Sequence, residues 1–138
     1  MTRINVVPVE ELSDQHLIAE YRELPRAVKQ NFDLTDAPKK YTLGKGHVKW
    51  AAQHPGFLIN RFYNLCNEMK YRGFIVNFSS SDFNNLVYEN KMKLLIEGPV
   101  YILSNDDIQI NRQRLIEKYK LKPNYYKWTR RKKPEWLN

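Results

Sequence analysis

The sequence predicts an all-α fold: a compact single domain over residues 1–138, with about three principal helices joined by long loops. Three observations predict it. Apolar residues recur at the three-and-four spacing of helices. No long stretch alternates as a strand would. Good capping residues stand before the periodic runs. A chain of 138 residues is long enough to enclose one hydrophobic core.

The first helix starts at Ser13 or Asp14 and runs to about Asn31. At about 100° per residue, Leu17, Tyr21, Leu24, Val28 and Phe32 share one face. Gln15, His16, Arg22, Glu23 and Arg26 gather opposite, around Ala19. Pro25 removes one backbone hydrogen bond, so a bend is expected near Tyr21 and Arg22. A second helix fits Gly56 to Arg72, burying Leu58, Phe62, Leu65 and Met69, with Gly73 as its C-terminal cap. A third fits Asp106 to Lys120 behind Ser104 or Asn105, with Ile108, Leu115, Ile116 and Tyr119 facing inward and Pro123 barring continuation. A short helix is expected around Asp82 to Asn90. Residues 33–41 read as loop. His47, between Gly46 and Val48, reads first as a loop hydrogen-bonding residue, and His54-Pro55 as helix-entry chemistry.

Charge narrows the function. The chain carries a net +8, with a pI near 9.6. From Arg112 onward ten bases face only Glu117 and Glu135, so this segment holds the net charge of the whole chain. A one-sided basic field points to a polyanion, commonly nucleic acid. The tail's Tyr119, Tyr125, Tyr126 and Trp128 argue against a purely solubilising role. Lys127, Arg130 and Arg131 are expected to contribute to the salt dependence of binding. No apolar run approaches the ~18 residues of a membrane span, and no apolar stretch of signal-peptide length opens the chain. The lone Cys66 reads as a core residue of an intracellular protein. His16, His47, His54 and Cys66 form no dense zinc signature. Gly44-Lys45-Gly46 is too short for a nucleotide-binding loop and lacks the Ser or Thr after Lys.

The first helix gathers Arg22, Glu23 and Arg26 on one face, with Arg3 also near the start of the sequence and His16 two turns before Glu23. Solvated faces of this kind are common. On a DNA-binding surface, however, a carboxylate would repel phosphates unless the arginines hold them aside. It gains a use if it faces a positive charge that develops during a reaction.

The residues Thr2-Arg3-Ile4-Asn5, Glu11-Leu12, Asp14-Gln15-His16-Leu17 and Ala19-Glu20-Tyr21-Arg22-Glu23-Leu24-Pro25-Arg26 resemble the start of the phage endonuclease V family of pyrimidine-dimer glycosylases. Leu43-Gly44-Lys45-Gly46-His47-Val48 is similar to that family's Gly-x-Gly-His-Val segment. Arg114-Leu115, Glu117-Lys118 and Tyr125-Tyr126-Lys127-Trp128 give a looser third match. Thr129 departs from it, standing where the family's run ends in an aromatic. Residues 29–42 and 77–105 depart more widely.

The resemblance implies a DNA repair enzyme: a glycosylase with abasic-site lyase activity on cyclobutane pyrimidine dimers in ultraviolet-damaged duplex DNA. It implies removal of Met1, which frees the α-amine of Thr2 as nucleophile. Such an amine titrates at about 7.7–8.0, so a useful fraction is neutral near pH 7. Arg3, Arg22 and Arg26 would depress that value by like-charge repulsion. Thr2 attacks the sugar carbon bearing the 5′ base of the dimer, the base leaves, and the resulting imine permits β-elimination. Glu23 stabilises the cationic sugar and imine and assists proton abstraction. Arg3, Arg22 and Arg26 are implied as phosphate clamps, with Gln15 and His16 close by. Arg114, Lys118, Tyr125, Tyr126, Lys127 and Trp128 are implied to grip the duplex, while a base opposite the dimer is extruded.

No metal or organic cofactor is expected, and no membrane. The expected partner is double-stranded DNA containing pyrimidine dimers, met by a monomer in the cytoplasm of a bacterium or phage-infected host. Charge and aromatics alone leave open a non-catalytic helical nucleic-acid-binding protein. Thr129 leaves open a glycosylase for another damaged base.

Overall fold

The computed structural model describes residues 4–29, 36–90 and 101–137. Among them are five α-helices: α1 (Asp14–Lys29), α2 (His47–Ala52), α3 (Pro55–Tyr71), α4 (Ser80–Glu89) and α5 (Asn105–Leu121), with short 3-10 turns at Val9–Glu11 and Glu135–Leu137. No strand occurs among the described residues, and the all-α expectation holds. The three long helices are those the periodicity marks out. α4 matches the short helix expected around residues 82–90, and α2 is additional.

α1 and α3 form the central pair. Leu17, Leu24 and Val28 of α1 are buried against Leu58, Phe62, Leu65 and Met69 of α3. Tyr21 stacks on Phe62 at 5.3 Å between ring centroids, and Phe62 stacks on Phe83 of α4 at 4.4 Å. The Tyr21 hydroxyl donates to the Phe78 carbonyl at 3.0 Å and accepts its N–H at 2.8 Å. That pair fixes the connection into α4. α1 runs through Pro25 without interruption. Phe32, expected on its inner face, lies outside the described residues.

The helix ends obey local chemistry. Ser79 with Asp82, and Ser104 with Asp107, form reciprocal capping boxes at the starts of α4 and α5. Pro55 opens α3 behind His54, and Gly73 follows α3 at φ +88°, where a Cβ would be strained. Leu115 and Tyr119 of α5 are buried as expected, while Ile108 and Ile116 are only half-buried. In their place, α5 buries two polar residues, Asp107 and Asn111. Cys66 is buried and free, and burial pushes its thiol up to about 11, as suits a core position.

Candidate active site and nucleic-acid face

α1 carries two glutamates with opposite fates. Glu20 is fully buried and accepts from Arg61 Nε at 2.6 Å and Nη2 at 3.1 Å, and from Asn5 Nδ2 at 2.8 Å. Glu23, one turn on, is half-exposed and has no ion-pair partner among the described residues. Arg22 and Arg26 beside it are exposed and likewise unpaired there. α1 therefore presents an uncommitted carboxylate flanked by uncommitted cations, as the wheel of the helix implies. An open cleft of about 440 Å³, lined by Ile18, Tyr21, Arg22, Met69, Phe74 and Ile75, adjoins this stripe.

Thr2 and Arg3 lie outside the described residues. The chain directly after them is held with unusual thoroughness. Ile4–Val7 runs buried through the interior with no neighbouring strand among the described residues, and side chains satisfy backbone groups along it. The Ile4 N–H donates to His47 Nε2 at 2.9 Å, and the Ile4 carbonyl accepts from the Tyr41 hydroxyl at 3.0 Å. Asn111 Oδ1 accepts from Val6 N–H at 2.7 Å and Val7 N–H at 3.0 Å. Arg61 Nη1 donates to the Val7 carbonyl. Asn111 Nδ2 reaches Asn5 Oδ1 at 2.7 Å, joining α5 to the Asn5–Glu20–Arg61 chain.

The C-terminal tail is fastened to the other end of α1. The Asp14 N–H donates to the Lys127 carbonyl at 2.7 Å. Gln15 donates from Nε2 to the Tyr125 carbonyl at 3.0 Å and accepts the Lys127 N–H on Oε1 at 3.1 Å. Its amide is thus engaged with the tail backbone. His16 stacks on Tyr126 at 5.1 Å and meets the edge of Tyr119 at 4.9 Å. Burial, with the Lys118 and Arg114 charges behind it, lowers His16 to about 4, so the imidazole is neutral at physiological pH. Gln15, His16, Arg114, Lys118, Tyr125, Tyr126 and Lys127 accordingly converge near the start of α1. Arg114, Lys118 and Lys127 have no ion-pair partner among the described residues. Tyr125 is exposed, with the Lys122 ammonium 5.2 Å from its ring centroid. Trp128 instead packs inward, donating from Nε1 to the Glu11 carbonyl at 3.0 Å.

Two tail residues behave otherwise than their charge suggests. Arg131 bonds both carboxylate oxygens of Glu68 at 2.8 Å and lies over Tyr71, and Arg130 donates to the Tyr71 carbonyl at 2.6 Å. Both fasten the tail to α3: Arg131 does so through an ion pair with Glu68, whereas exposed Arg130 bonds a neutral carbonyl and keeps its charge unneutralised among the described residues. Burial alone would raise Glu68, but its bonds to Arg131 and Arg72 outweigh that and hold it below the usual carboxylate range. Thr129 also has a structural use. Its N–H and hydroxyl both donate to the Asp14 carboxylate, the hydroxyl at 2.6 Å, and Arg72 adds a third bond at 3.0 Å.

Sequence reasoning missed Glu20, Arg61 and Asn111 as the framework behind the site. The one available signal is Glu20 itself, a carboxylate on the apolar side of the first helix. A family of known proteins described as pyrimidine dimer DNA glycosylases matches residues 1–82, which take in α1, α2, α3 and the start of α4. The match covers the glutamate pair, the Ile4–Val7 segment and its His47 anchor, while α5 and the tail lie beyond it. By that match this chain belongs to the pyrimidine dimer DNA glycosylase family.

Proposed function

We propose that the protein excises cyclobutane pyrimidine dimers from duplex DNA and then nicks the strand as an abasic-site lyase, with Thr2 as nucleophile and Glu23 as catalytic carboxylate. The observation that carries this reading is Glu23. It is an uncommitted carboxylate between uncommitted arginines, on the helix past which the N-terminal segment runs. Asn5 bonds Glu20, and Glu23 follows about 4.5 Å further along the helix axis. An extended chain spans about 10 Å over three residues, so residue 2 can approach the Glu23 side chain.

Once Met1 is removed, the neutral α-amine of Thr2 adds to C1′ of the damaged nucleotide, and the glycosidic bond breaks with its electron pair leaving on the base. Loss of the amine proton gives an imine after ring opening. Abstraction of a C2′ proton then expels the 3′ phosphate by β-elimination, and water hydrolyses the product imine. Glu23 stabilises the cationic sugar and the iminium and assists the proton transfers. Arg22 and Arg26, with Arg3, hold the flanking phosphates. Arg114, Lys118 and Lys127 extend the basic track, and Tyr125 offers an exposed ring to the duplex. Gln15, Tyr126 and Trp128 act from behind by shaping the tail, and neutral His16 supports it by stacking. The protein acts as a monomer on DNA in the cytoplasm.

Borohydride reduction tests the reading. Met-processed protein on abasic or irradiated duplex should form a covalent adduct joined through residue 2, and Glu23→Gln should bind DNA but release almost no base. An adduct mapped to a lysine, or none at all, overturns the assignment of Thr2. Base release by Glu23→Gln within a few-fold of the parent overturns that of Glu23.

A further inference from the structure

We propose that His47 is the positioning residue for the reactive N-terminus: its Nε2 accepts the Ile4 N–H and thereby sets where the amine of Thr2 stands. This deepens the reading above and rests on it. Ile4 N–H is the first described backbone group after Thr2, and the bond to His47 is 2.9 Å, spanning 43 residues of sequence. A chain end held by nothing frays. Among the described residues, this tether is the nearest to the nucleophile, two positions away.

The chemistry of the tether is specific. An N–H can only donate, so Nε2 must present its lone pair. The Thr42 carbonyl can only accept, so Nδ1, 2.6 Å away, must carry the proton. The imidazole is therefore the neutral Nδ1–H tautomer, its ring direction fixed from behind by a carbonyl. His47 is 2% exposed and packs beside Tyr41 and Trp50. Its placement depends on Gly46, which sits at φ +90° and where a Cβ would come within 2.7 Å of Pro38. The glycine before the histidine thus lets the chain turn into α2 tightly enough to bring the ring under Ile4.

A buried N–H needs some acceptor whatever the protein does, so stability alone does not distinguish the roles. Reaction geometry does, because displacing a reacting group by about 1 Å can cost about 100-fold in rate. The test uses Met-processed full-length protein, verified by intact mass, and two variants. In His47→Asn the amide can occupy the Nδ1 position and bond Thr42 but falls short of Ile4. In His47→Gln the longer side chain brings an oxygen to the Nε2 position. The measurements are the borohydride-trapping rate on abasic duplex at saturating protein, Kd for a duplex with a tetrahydrofuran abasic analogue, and Tm. Val87→Ala serves as a control for stability loss alone, with all assays run below the lowest Tm.

The expected result is a trapping rate about 100-fold lower in His47→Asn with Kd within about 3-fold, recovery to within about 5-fold in His47→Gln, and no rate change in Val87→Ala. The proposal is overturned if His47→Asn traps at the parent rate. It is overturned equally if both variants lose rate only in step with Kd or Tm. A parent protein that traps nothing would instead sink the Thr2 reading itself.

Discussion

Glu20 and Glu23 occupy one helix a turn apart, and the same substitution should do opposite things to them. Glu20→Gln removes the charge facing Arg61, which is itself buried and cannot turn to water. Breaking a buried pair by deleting one partner costs about 3–5 kcal/mol. Arg61 keeps its bond to the Val7 carbonyl, and the new amide oxygen can still accept one bond, so the lower end of about 3 kcal/mol applies. For a domain of this size that is a fall in Tm of roughly 10 °C. Glu23→Gln touches a half-exposed side chain with no ion pair among the described residues, and should move stability by at most about 0.5 kcal/mol, or roughly 2 °C. Thermal unfolding followed by circular dichroism at neutral pH measures both. A Glu20→Gln variant melting within about 3 °C of the parent would refute the view that Arg61 depends on that charge.

Three more outcomes follow from the geometry. His16 titrates at about 4 when folded against 6.5 ordinarily, so the unfolded chain binds the extra proton between those values. Stability should fall as pH drops from about 6.5 to about 4, by at most about 3 kcal/mol, and urea midpoints for His16→Leu should lose part of that slope. Glu68, held below its usual range, adds a loss of the same sign at still lower pH. Lys118→Gln and Lys127→Gln should each flatten the salt dependence of DNA binding by about 0.9 in log–log slope, whereas Arg131→Gln should leave it unchanged and lower Tm instead. Thr129→Val removes only the hydroxyl bond to Asp14 and should cost about 1–2 kcal/mol in denaturant unfolding, and no loss would show that the tail is held without it.

Much of the architecture is legible in the sequence because its causes are local. Leu17, Leu24 and Val28 fall on one side of a helix by spacing alone, and Ser104 with Asp107 announces the start of α5. The Arg22, Glu23 and Arg26 stripe follows from the same periodicity. What escapes is set by partners distant in sequence. α2 has six residues, too few for a period to emerge, so His47 reads as a loop residue. Asn111 lies where an apolar residue would be expected, and only its bonds to a segment more than a hundred positions earlier explain it. Thr129 is a departure when compared with a family pattern, yet its bonds to Asp14 give it a structural reason.

The anchoring of Ile4–Val7 also has a consequence for biosynthesis. Its two successive amides at Val6 and Val7 find their acceptor, Asn111, about 105 residues later in synthesis. At elongation speeds of about 5–20 residues per second, the nascent chain spends several seconds or more without that partner. The seat of Ile4–Val7 is thus completed only when α5 has been synthesised and has docked. Truncated translation products that end before α5 would carry the entire α1 stripe and yet lack the clasp that holds Val6 and Val7.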